Sequence, residues 1–299
     1  ELKYRVWPTY DFAGIIFDSK SGVTHAMRSK EFELRKELHY SILDRLGMEK
    51  AEFIFFGRLD LEGMPVAKSA LKPLIENGKI PWYDDPRLPT LEGLRRRGIR
   101  PEAVRKFVLS LGLTKNDTNS PFATLESFNK KIIDGESIRL HMVNDPKKIK
   151  IANLTPKEIR LSNHPTKDLG KRTVKINGTV LVSGSDAEEM KQGEMIRLLG
   201  LCVIKINSIG DEINAEVVDD NIDAKKKIQW ISENDTTPIK IIIPARLFHG
   251  ETFNEQSLKL IDVLTESAYL ELKEDTSIQF VRFGYCRKES GHQVIFSHK

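Results

Sequence analysis

The chain carries the block Arg58-Leu59-Asp60-Leu61-Glu62-Gly63-Met64-Pro65-Val66-Ala67-Lys68-Ser69, followed by Trp82-Tyr83-Asp84-Asp85-Pro86-Arg87-Leu88-Pro89-Thr90-Leu91 and by Arg95-Arg96-Arg97-Gly98-Ile99. The first block predicts a mobile lysine loop, because glycine and small side chains around its lysine permit backbone motion. The last block predicts a rigid helical bracket rich in arginine. A loop cation just ahead of such a bracket is suited to holding a triphosphate and a nucleic-acid backbone side by side.

Basic residues are concentrated around these blocks. Between Val66 and Ser110 there are ten Lys and Arg but only five Asp and Glu, a local excess larger than the net charge of +4 of the whole chain. By charge alone, a solvated helix face and a phosphate-binding surface are equally good interpretations. The motifs around the segment favour phosphate binding.

The composition is that of a soluble protein. With 299 residues and 39% hydrophobic content, the chain can form two or three domains, each with a core. The sequence contains no run of eighteen apolar residues and no signal-peptide pattern at its start, so we expect no membrane association and a cytoplasmic location. Cys202 and Cys286 are far apart and lack a C-x-x-C spacing, so we expect neither a disulfide framework nor a protein-bound zinc ion.

The first 65 residues show the texture of an α/β layer. The run Gly14-Ile15-Ile16-Phe17 is strand-like, and Phe53-Ile54-Phe55-Phe56 is typical of a buried strand. Between them, residues 30–46 predict a helix ended by Gly47. This helix would place apolar side chains four residues apart on one face, namely Leu34, Leu38, Ile42 and Leu46.

From Lys68 to about Gly135 the pattern is helical. Gly78 is expected to end one helix, and Thr90 and Gly98 to cap and end the next. Further start and stop signals are Pro101 and Gly112 around a third helix and Thr124 at the start of a fourth.

Short β-runs follow and continue to the end of the chain. They predict strands at residues 138–143, 149–154, 173–176, 179–182, 201–206 and 239–243. Asn177-Gly178 between two of these runs is a hairpin signal. Evenly spaced short strands over about 160 residues favour two small barrels over a single sandwich.

A resemblance to a known family rests on two further segments, Val6-Trp7-Pro8-Thr9-Tyr10-Asp11-Phe12-Ala13 and Gly22-Val23-Thr24-His25-Ala26-Met27-Arg28-Ser29. Together with the blocks above, they resemble the class I glutamyl- and glutaminyl-tRNA synthetases, in particular the archaeal-type glutamyl enzymes, over essentially the whole chain. The resemblance implies a multidomain α+β protein. Its parts would be the second half of a class I Rossmann-type catalytic domain (1–66), a helical connective domain beginning with the lysine loop (67–136), and two anticodon-binding β-barrels (137–299).

By this resemblance, the amino-acid substrate would meet Tyr10 and Arg28. A planar guanidinium can clamp a carboxylate with two charge-assisted hydrogen bonds, whereas a glutamine-specific relative needs a neutral group, so Arg28 favours glutamate. Ser29 either contacts ATP or caps the following helix, and the sequence supports the two roles equally. His25 and Asp11 are expected to be structural, with His25 packed beneath the pocket.

The lysine loop of class I synthetases is usually described as KMSKS, and Lys68 occupies the place of its second lysine. This resemblance implies that Lys68 is catalytic and stabilises the charge that builds on the triphosphate in the transition state. The first lysine of the motif is absent, since Pro65 and Val66 stand there. The ATP-binding residues implied are Ser29, Arg58, Leu59, Val66, Ala67 and Lys68.

The resemblance also implies tRNA contacts. In the barrels, the landmarks Asn163-His164-Pro165, Lys227-Ile228-Gln229-Trp230-Ile231 and Gln279-Phe280-Val281-Arg282-Phe283-Gly284-Tyr285 resemble those of the family, with Trp230 in the core. RNA loops are read by stacking and by hydrogen bonds to splayed bases, which suits Gln and Arg beside aromatic rings. The tRNA-binding residues implied are Arg95, Arg96, Arg97, Arg172, Gln279 and Arg282.

The implied function is glutamate-tRNA ligase, using ATP with Mg²⁺, with tRNA(Glu) as partner, tRNA(Gln) left open as a second one, and a monomeric state. The H-x-G-H-type signature of the family does not occur in this sequence, so we expect the chain to lack the first half of the catalytic domain and to bind tRNA without activating glutamate by itself. Two alternatives remain at this stage. One is a glutaminyl-tRNA synthetase, and the other is a non-catalytic tRNA-binding protein made from this half alone.

Overall fold

The computed structural model describes residues 3–65, 67–219 and 221–299. It divides into two compact units. The first unit consists of Glu1–Glu62 and Phe107–Pro121, and the second of Gly63–Lys106 and Phe122–Lys299. The predicted division at residues 66 and 136 concerns functional domains, and it stays a prediction.

The helices of the described residues begin and end close to the local signals in the sequence. In chain order they are α1 Tyr10–Lys20, α2 Lys36–Leu46, α3 Lys68–Glu76, α4 Leu91–Arg96, α5 Pro101–Leu111, α6 Phe122–Ile133 and α7 Gly184–Glu188. Short 3-10 helices occupy Lys30–Arg35 and Ser267–Glu271. At the start of α4, the Thr90 hydroxyl accepts a hydrogen bond from the Gly93 amide at 3.0 Å, which confirms the predicted cap.

Strands account for most of the remaining regular structure. In chain order they are β1 His25–Ser29, β2 Glu52–Phe56, β3 Leu59–Leu61, β4 Thr118–Ser120, β5 Ile138–Leu140, β6 Met142–Val143, β7 Pro146–Ala152, β8 Lys157–Ser162, β9 Lys171–Ile176, β10 Thr179–Ser183, β11 Met195–Leu198, β12 Cys202–Ile209, β13 Ile213–Val218, β14 Lys226–Ile228, β15 Ile231–Ser232, β16 Thr236–Pro244, β17 Phe248–His249, β18 Thr252–Phe253, β19 Leu258–Glu266, β20 Ser277–Phe280, β21 Gly284–Lys288 and β22 Gln293–His298.

The first unit is built on two parallel strand pairs. β1 pairs with β2, and β3 pairs with β4. β1 and β2 are packed against α1 and α2. Such a covering by helices is typical of parallel strands. The core formed in this way contains Ile15, Ala26, Leu43, Ala51, Phe53 and Phe55.

Two predictions for the first unit are wrong. Residues 14–17 lie inside α1 rather than in a strand, because a short apolar run does not by itself distinguish a helix from a strand. The helix predicted at 30–46 is a 3-10 helix followed by α2. The inner face of α2 carries His39 and Leu43, whereas Leu34 and Leu38 are 95% and 54% exposed.

The helical part of the second unit follows its sequence signals closely. Gly78 and Gly98 adopt positive φ angles of 68° and 86° after α3 and α4, and α5 begins at Pro101. α6 begins at Phe122, two residues before the predicted Thr124. The apolar core of this part contains Leu71, Leu74, Ile80, Leu88 and Leu247.

Two seven-stranded, barrel-like sheets form most of the rest of the second unit, beside the two-stranded sheets β8-β9 and β17-β18. The first seven-stranded sheet has the strand order β14-β11-β12-β13-β7-β10-β15, and the second has the order β5-β20-β21-β22-β16-β19-β6. Each sheet encloses its own apolar cluster, with Trp230 buried in the first and Phe280 in the second. Trp230 is 1% exposed and donates from Nε1 to the Leu199 carbonyl at 3.0 Å, which confirms its assignment to the core.

The predicted hairpin at Asn177-Gly178 is wrong. β9 before this turn pairs with β8, whereas β10 after it pairs with β7 and β15. The turn therefore passes the chain from one sheet to another. Asn177-Gly178 specifies a local reversal of the chain, with Gly178 at a φ of 95°. The pairing partners of β9 and β10 are set by residues far away in the sequence.

Among the residues that the structure describes, we find no helix with both the length and the apolar character that crossing a membrane requires. Cys202 and Cys286 are buried free thiols, and burial raises the pKa of the Cys286 thiol.

Candidate active site and tRNA interface

β1 places Arg28 inside the first unit. The residue is only 5% exposed, and its Nη2 donates to the Asp18 carboxylate at 2.7 Å. The guanidinium carbon lies 4.8 Å from the centre of the Phe53 ring. Nε and Nη1 of Arg28 are buried and have no hydrogen-bond partner within the described part of the chain. Such donors are costly to leave unpaired, and a guanidinium can donate two parallel hydrogen bonds to an anionic acceptor.

Tyr10, predicted to share the substrate with Arg28, lies beside it. The Arg28 guanidinium carbon is 5.5 Å from the centre of the Tyr10 ring. Tyr10 is the first residue of α1 and is 60% exposed, and its ring packs against Phe32 at 5.2 Å. The structure therefore brings the two predicted substrate-binding residues together, with one buried and the other accessible.

Asp11 has the structural contacts expected of it. It forms an ion pair with Arg35, and its Oδ1 lies 3.0 Å from Nε2 of the buried His39. The hydrogen bond from His39 holds the pKa of Asp11 below its usual value. His25 differs from expectation. Its side chain is 60% exposed on β1 and is not packed beneath a pocket, because alternate residues of a strand face opposite sides.

A cavity of about 510 Å³ lies in the first unit beside the ends of β1 and β2. Three of the predicted ATP-binding residues, Ser29, Arg58 and Leu59, line it. Apolar side chains such as Met27 and Phe56 form much of the remaining wall. An apolar wall with a few polar groups is typical of small-molecule sites, and the size suits a nucleotide-sized ligand.

Ser29 stands at the N-cap position of the 3-10 helix, but its side chain makes no capping hydrogen bond. Its hydroxyl instead bonds to Glu31, and this bond lowers the pKa of the Glu31 carboxyl. Arg58 forms a 3.1 Å ion pair with Asp60, and its amide donates to Asp117. Ser29 and Arg58 are thus held at the rim of the cavity by local acids.

Gly57 was not singled out from the sequence, yet it shapes this cavity. A Cβ added at Gly57 would lie 2.3 Å from the carbonyl oxygen of Asn116, which also lines the cavity. Only glycine permits two backbone segments to approach so closely. The signal in the sequence that could have identified Gly57 is a glycine directly after a predicted strand and next to Arg58.

Lys68 lies in the second unit as the first residue of α3, and its side chain is exposed. Ala67 is the N-cap residue, in an extended conformation with ψ of 134°. The predicted ATP contact Val66 lies outside the described residues. The predicted lysine loop thus passes directly into a helix at the lysine itself, and the ATP-binding roles of Ala67 and Lys68 stay predictions.

The three predicted arginines of the bracket have different environments. Arg95 is exposed and forms a 3.0 Å ion pair with Glu92. Arg96 bridges Asp84 and Glu289. Arg97 is 5% exposed, and its Nη2 donates to Glu126 at 3.0 Å. Burial lowers the pKa of Arg97 to about 10.

Most of the basic excess counted between residues 66 and 110 is compensated by ion pairs. Lys72, Arg87, Arg95 and Arg96 pair with acids inside the segment. Lys79, Arg97 and Arg100 pair with Glu255, Glu126 and Glu136 from elsewhere in the second unit. Of the three predicted tRNA contacts here, Arg95 is the most accessible to a phosphate.

A second cavity, of about 650 Å³, lies in the second unit. Two predicted tRNA-binding residues, Arg172 and Gln279, line it. The Arg172 side chain is 6% exposed, and its Nε donates to both oxygens of the buried Glu266 carboxylate at 3.0 Å. Gln279 lies on β20 opposite Tyr285 on β21, and Tyr285 also lines the cavity.

Arg282 is not one of the described residues that line this cavity. Its side chain is half exposed, and its Nη1 donates to both carboxylate oxygens of Asp186 at 2.9 Å. The backbone of Arg282 has a φ of 65°, which is uncommon for a residue with a Cβ. The turn between β20 and β21 thus presents the guanidinium outside the cavity that holds Arg172 and Gln279.

Several further polar residues of this cavity were not among the predicted site residues. Arg139 donates to Asp134 at 2.7 Å, and the Tyr285 hydroxyl donates to the same carboxylate. The bond from Tyr285 is the main cause of a lowered pKa at Asp134. His141 is buried, with Nδ1 at 3.0 Å from the Trp230 carbonyl. Tyr285 belonged to a quoted landmark, whereas Arg139 and His141 carried no motif.

The described residues contain no cluster of three or more His, Cys, Asp or Glu side chains that could hold a metal ion.

Three family models match consecutive parts of the chain. Residues 1–135 match the model described as class I tRNA synthetases (E and Q), catalytic domain. Residues 137–225 and 227–289 match two models of the anticodon-binding domain of the same class. This chain belongs to the class I tRNA synthetases of the E and Q type.

Several relatives of this E and Q class with clear sequence identity come from archaea. The chain is 57% identical over 298 residues to a glutamate-tRNA ligase of Nitrosopumilus maritimus, covering 99% of this chain and 52% of the relative. It is 50% identical over 297 residues to the glutamate-tRNA ligase of Cenarchaeum symbiosum, with 99% and 53% covered. A third, from Korarchaeum cryptofilum, is 38% identical over 298 residues, with 98% and 51% covered. The chain spans about half the length of the curated relatives it matches.

Membership of this E and Q class confirms the predicted fold class. The catalytic-domain match covers the first unit and the helices after it, and the two anticodon-binding matches cover most strands of the barrel-like sheets and end before β22. The matches extend over most of the chain and do not name individual residues. The site assignments therefore stay predictions that are argued from local geometry.

Proposed function

We propose that this chain is part of a glutamate-tRNA ligase. In this reaction the α-carboxylate of glutamate attacks the α-phosphorus of ATP, pyrophosphate leaves, and the glutamyl group then moves to the 2′-hydroxyl of the terminal adenosine of tRNA(Glu). The names of the archaeal relatives support this choice among the members of the class. The protein would act in the cytoplasm as a monomer.

Arg28 carries the proposal for glutamate. A buried guanidinium with two unpaired nitrogens suits a carboxylate, which accepts two parallel hydrogen bonds, better than an amide, which offers a single acceptor oxygen. Tyr10 beside it would complete the side-chain contact. The same observation argues against the glutaminyl enzyme, for which a buried cation would be a poor partner.

The cavity beside Ser29, Arg58 and Leu59 supports a role in holding the adenosine of ATP. Leu59 would pack along the nucleoside, while Ser29 and Arg58 offer polar contacts at the rim. Lys68 would supply a cation that follows the charge developing on the triphosphate, since an exposed side chain at a helix start is free to move. Mg²⁺ would enter with ATP, bound mainly through phosphate oxygens.

The C-terminal region would read the tRNA. The two anticodon-binding matches support this role, together with a cavity lined by Arg172 and Gln279. Arg282 at a neighbouring turn and Arg95, Arg96 and Arg97 are proposed as further contacts. In this proposal residues 1–66 belong to the catalytic domain, 67–136 to the connective domain and 137–299 to the two barrels.

The experiment is a charging assay with the intact protein, purified tRNA(Glu) and tRNA(Gln), and radiolabelled glutamate or glutamine. We expect glutamate to be attached to tRNA(Glu) and glutamine to fail as a competitor. Charging of tRNA(Gln) with glutamate would extend the substrate range without changing the reaction. Attachment of glutamine would favour the glutaminyl enzyme, and tRNA binding without charging would favour a non-catalytic tRNA-binding protein.

A further inference from the structure

The carboxylate of Glu266 joins two walls of the cavity in the second unit. Glu266 ends β19 and is 2% exposed. It accepts hydrogen bonds from Nε of Arg172 at 3.0 Å to each oxygen, and from the backbone amide of His141 at 2.8 Å. One buried acid thus holds two residues that line the cavity.

The residue next to Glu266 also forms a hydrogen bond to the backbone of His141. The Thr265 hydroxyl donates to the His141 carbonyl at 2.8 Å. Both polar backbone groups of His141 are therefore bound by the end of β19. Because a carbonyl can only accept, the 3.0 Å contact between the His141 ring and the Trp230 carbonyl assigns the ring hydrogen to Nδ1. Burial also lowers the pKa of His141, so Nε2 is a hydrogen-bond acceptor.

Arg172 keeps unused N–H donors for a ligand. Its Nε is used by Glu266, and its Nη1 donates to the Ser162 carbonyl at 3.0 Å. Its Nη2 has no hydrogen bond to the described residues. The cavity wall therefore carries a fixed donor from Arg172 and a fixed acceptor from His141. Splayed RNA bases are recognised through such donor and acceptor pairs along their edges.

We propose that Glu266 is a positioning residue for anticodon recognition. It holds Arg172 and His141 in the positions that recognition of one anticodon base requires. This inference rests on the proposed function. Glu266 itself does not touch the RNA. It lies in the part matched by one anticodon-binding model, whereas Arg172 and His141 lie in the part matched by the other, so the carboxylate also ties the two together.

The test measures base discrimination rather than affinity alone. The intact protein is titrated into a fluorescent RNA hairpin whose loop carries a glutamate anticodon, UUC, and into three hairpins that each have one anticodon base changed. The ratio of Kd values between changed and unchanged hairpins is compared for the wild type, Glu266→Gln, Arg172→Gln and the double variant. Gln keeps the volume of Glu but cannot accept from Arg172 and His141 without turning its amide hydrogens toward a donor.

We expect Glu266→Gln to lower this ratio by about tenfold at one anticodon position. Arg172→Gln should lower it at the same position. The double variant should lose no more than either single variant, since both substitutions remove one recognition unit. An effect confined to one position is the signature that a general loss of stability would not produce.

Asp85→Asn is the matched control. Asp85 is also 2% exposed, and it accepts from Nε and Nη2 of the buried Arg87 at 2.9 and 2.7 Å. Asp85 does not line the cavity. We expect this variant to lower the melting temperature and leave all three ratios unchanged.

A folded Glu266→Gln that keeps the wild-type ratios, while Arg172→Gln loses one, would overturn the inference and leave the proposed function intact. If Glu266→Gln does not fold, Glu266→Asp decides by the same criterion, because a carboxylate shortened by one methylene cannot keep all three contacts. A wild-type protein that binds all four hairpins equally would count against anticodon reading itself, and both proposals would fall.

Discussion

Nη2 of Arg28 lies 2.7 Å from the Asp18 carboxylate, and this is the one hydrogen bond that the guanidinium makes among the described residues. The contact fixes the plane of the guanidinium and leaves its other edge buried without partners. Burying donors in this way destabilises a protein unless a ligand satisfies them. We therefore expect an anionic ligand to satisfy the buried Nε and Nη1 donors of Arg28.

Arg28→Gln should raise the KM for glutamate by about 10²-fold, because a neutral amide replaces two charge-assisted hydrogen bonds. The measurement is glutamate-dependent charging by the intact protein at saturating ATP and tRNA. Arg45→Gln on the exposed side of α2 is the control and should leave KM unchanged. An unaltered KM in folded Arg28→Gln would remove this residue from the substrate site.

Lys68→Ala should slow formation of the adenylate by about 10²- to 10³-fold, the loss expected for one transition-state donor. Its KM for glutamate should stay close to the wild-type value, since the lysine stabilises charge that appears only during the reaction. Single-turnover kinetics of the intact protein separates the two parameters. Lys72→Ala, one turn later on α3 and paired with Glu76, should keep the wild-type rate. An unchanged chemical step in Lys68→Ala would refute the assigned role.

Local signals in the sequence predicted local structure well. Thr90 and Gly98 bound α4 as expected, because a cap or a positive φ depends on a few neighbouring residues. For the same reason, the runs predicted at 138–143, 149–154, 179–182, 201–206 and 239–243 coincide with strands of the barrel-like sheets, whereas the other strands of these sheets were not predicted. Strand partners were not predicted either, as the Asn177-Gly178 turn demonstrates, because pairing is decided by residues far apart in sequence.

The chemistry of the sites was harder to predict than their residue types. Arg172 was selected from a motif, but its buried partner Glu266 lies 94 positions further along the chain. Arg97 and Arg95 look alike in the sequence, yet one is buried against Glu126 and the other is exposed. A charge count cannot distinguish them, since it contains no information about burial.

Gly57→Ala should lower the free energy of unfolding by about 1–3 kcal/mol, because the new Cβ would meet the Asn116 backbone at 2.3 Å and force it to move. Gly14→Ala in α1 is the matched control. Its Cβ would lie 3.7 Å from the Tyr10 ring, an ordinary contact, and it should stabilise the helix by about 0.5–1 kcal/mol. Urea denaturation measures both. Equal effects of the two substitutions would contradict the close approach at Gly57.

The free energy of unfolding should fall as the pH is lowered from about 6.5 to about 4, in part because of His298. Burial lowers the pKa of this histidine from 6.5 to about 4. The unfolded chain takes up a proton in that range while the folded protein does not, so stability is lost as the pH falls. The contribution is about 3 kcal/mol in total.

Denaturation of the wild type and His298→Gln at several pH values isolates this contribution, because the carboxylates titrate in both proteins. The variant should show the flatter dependence. His141, whose pKa is also lowered by burial, retains an effect of the same sign. Identical slopes in the two proteins would show that His298 binds its proton equally well in both states.

Arg282 allows the role of a side chain to be separated from the strain of its backbone. At a φ of 65°, glycine is relaxed and alanine is strained, so Arg282→Gly should be more stable than Arg282→Ala by about 1 kcal/mol. Both variants lose the guanidinium and leave Asp186 unpaired. If RNA contacts the side chain, the two variants and Gln279→Ala should weaken binding of cognate tRNA selectively.

Arg95→Ala is the comparison, because an exposed arginine that meets phosphate carries no base information. It should weaken cognate and non-cognate tRNA equally and reduce the slope of log K against log salt by about 1. Filter binding at several salt concentrations measures both effects. If Arg282→Gly binds cognate tRNA with wild-type affinity and Arg282→Ala does not, tRNA binding depends on the conformation of this turn. The guanidinium would then have no direct part in reading the anticodon.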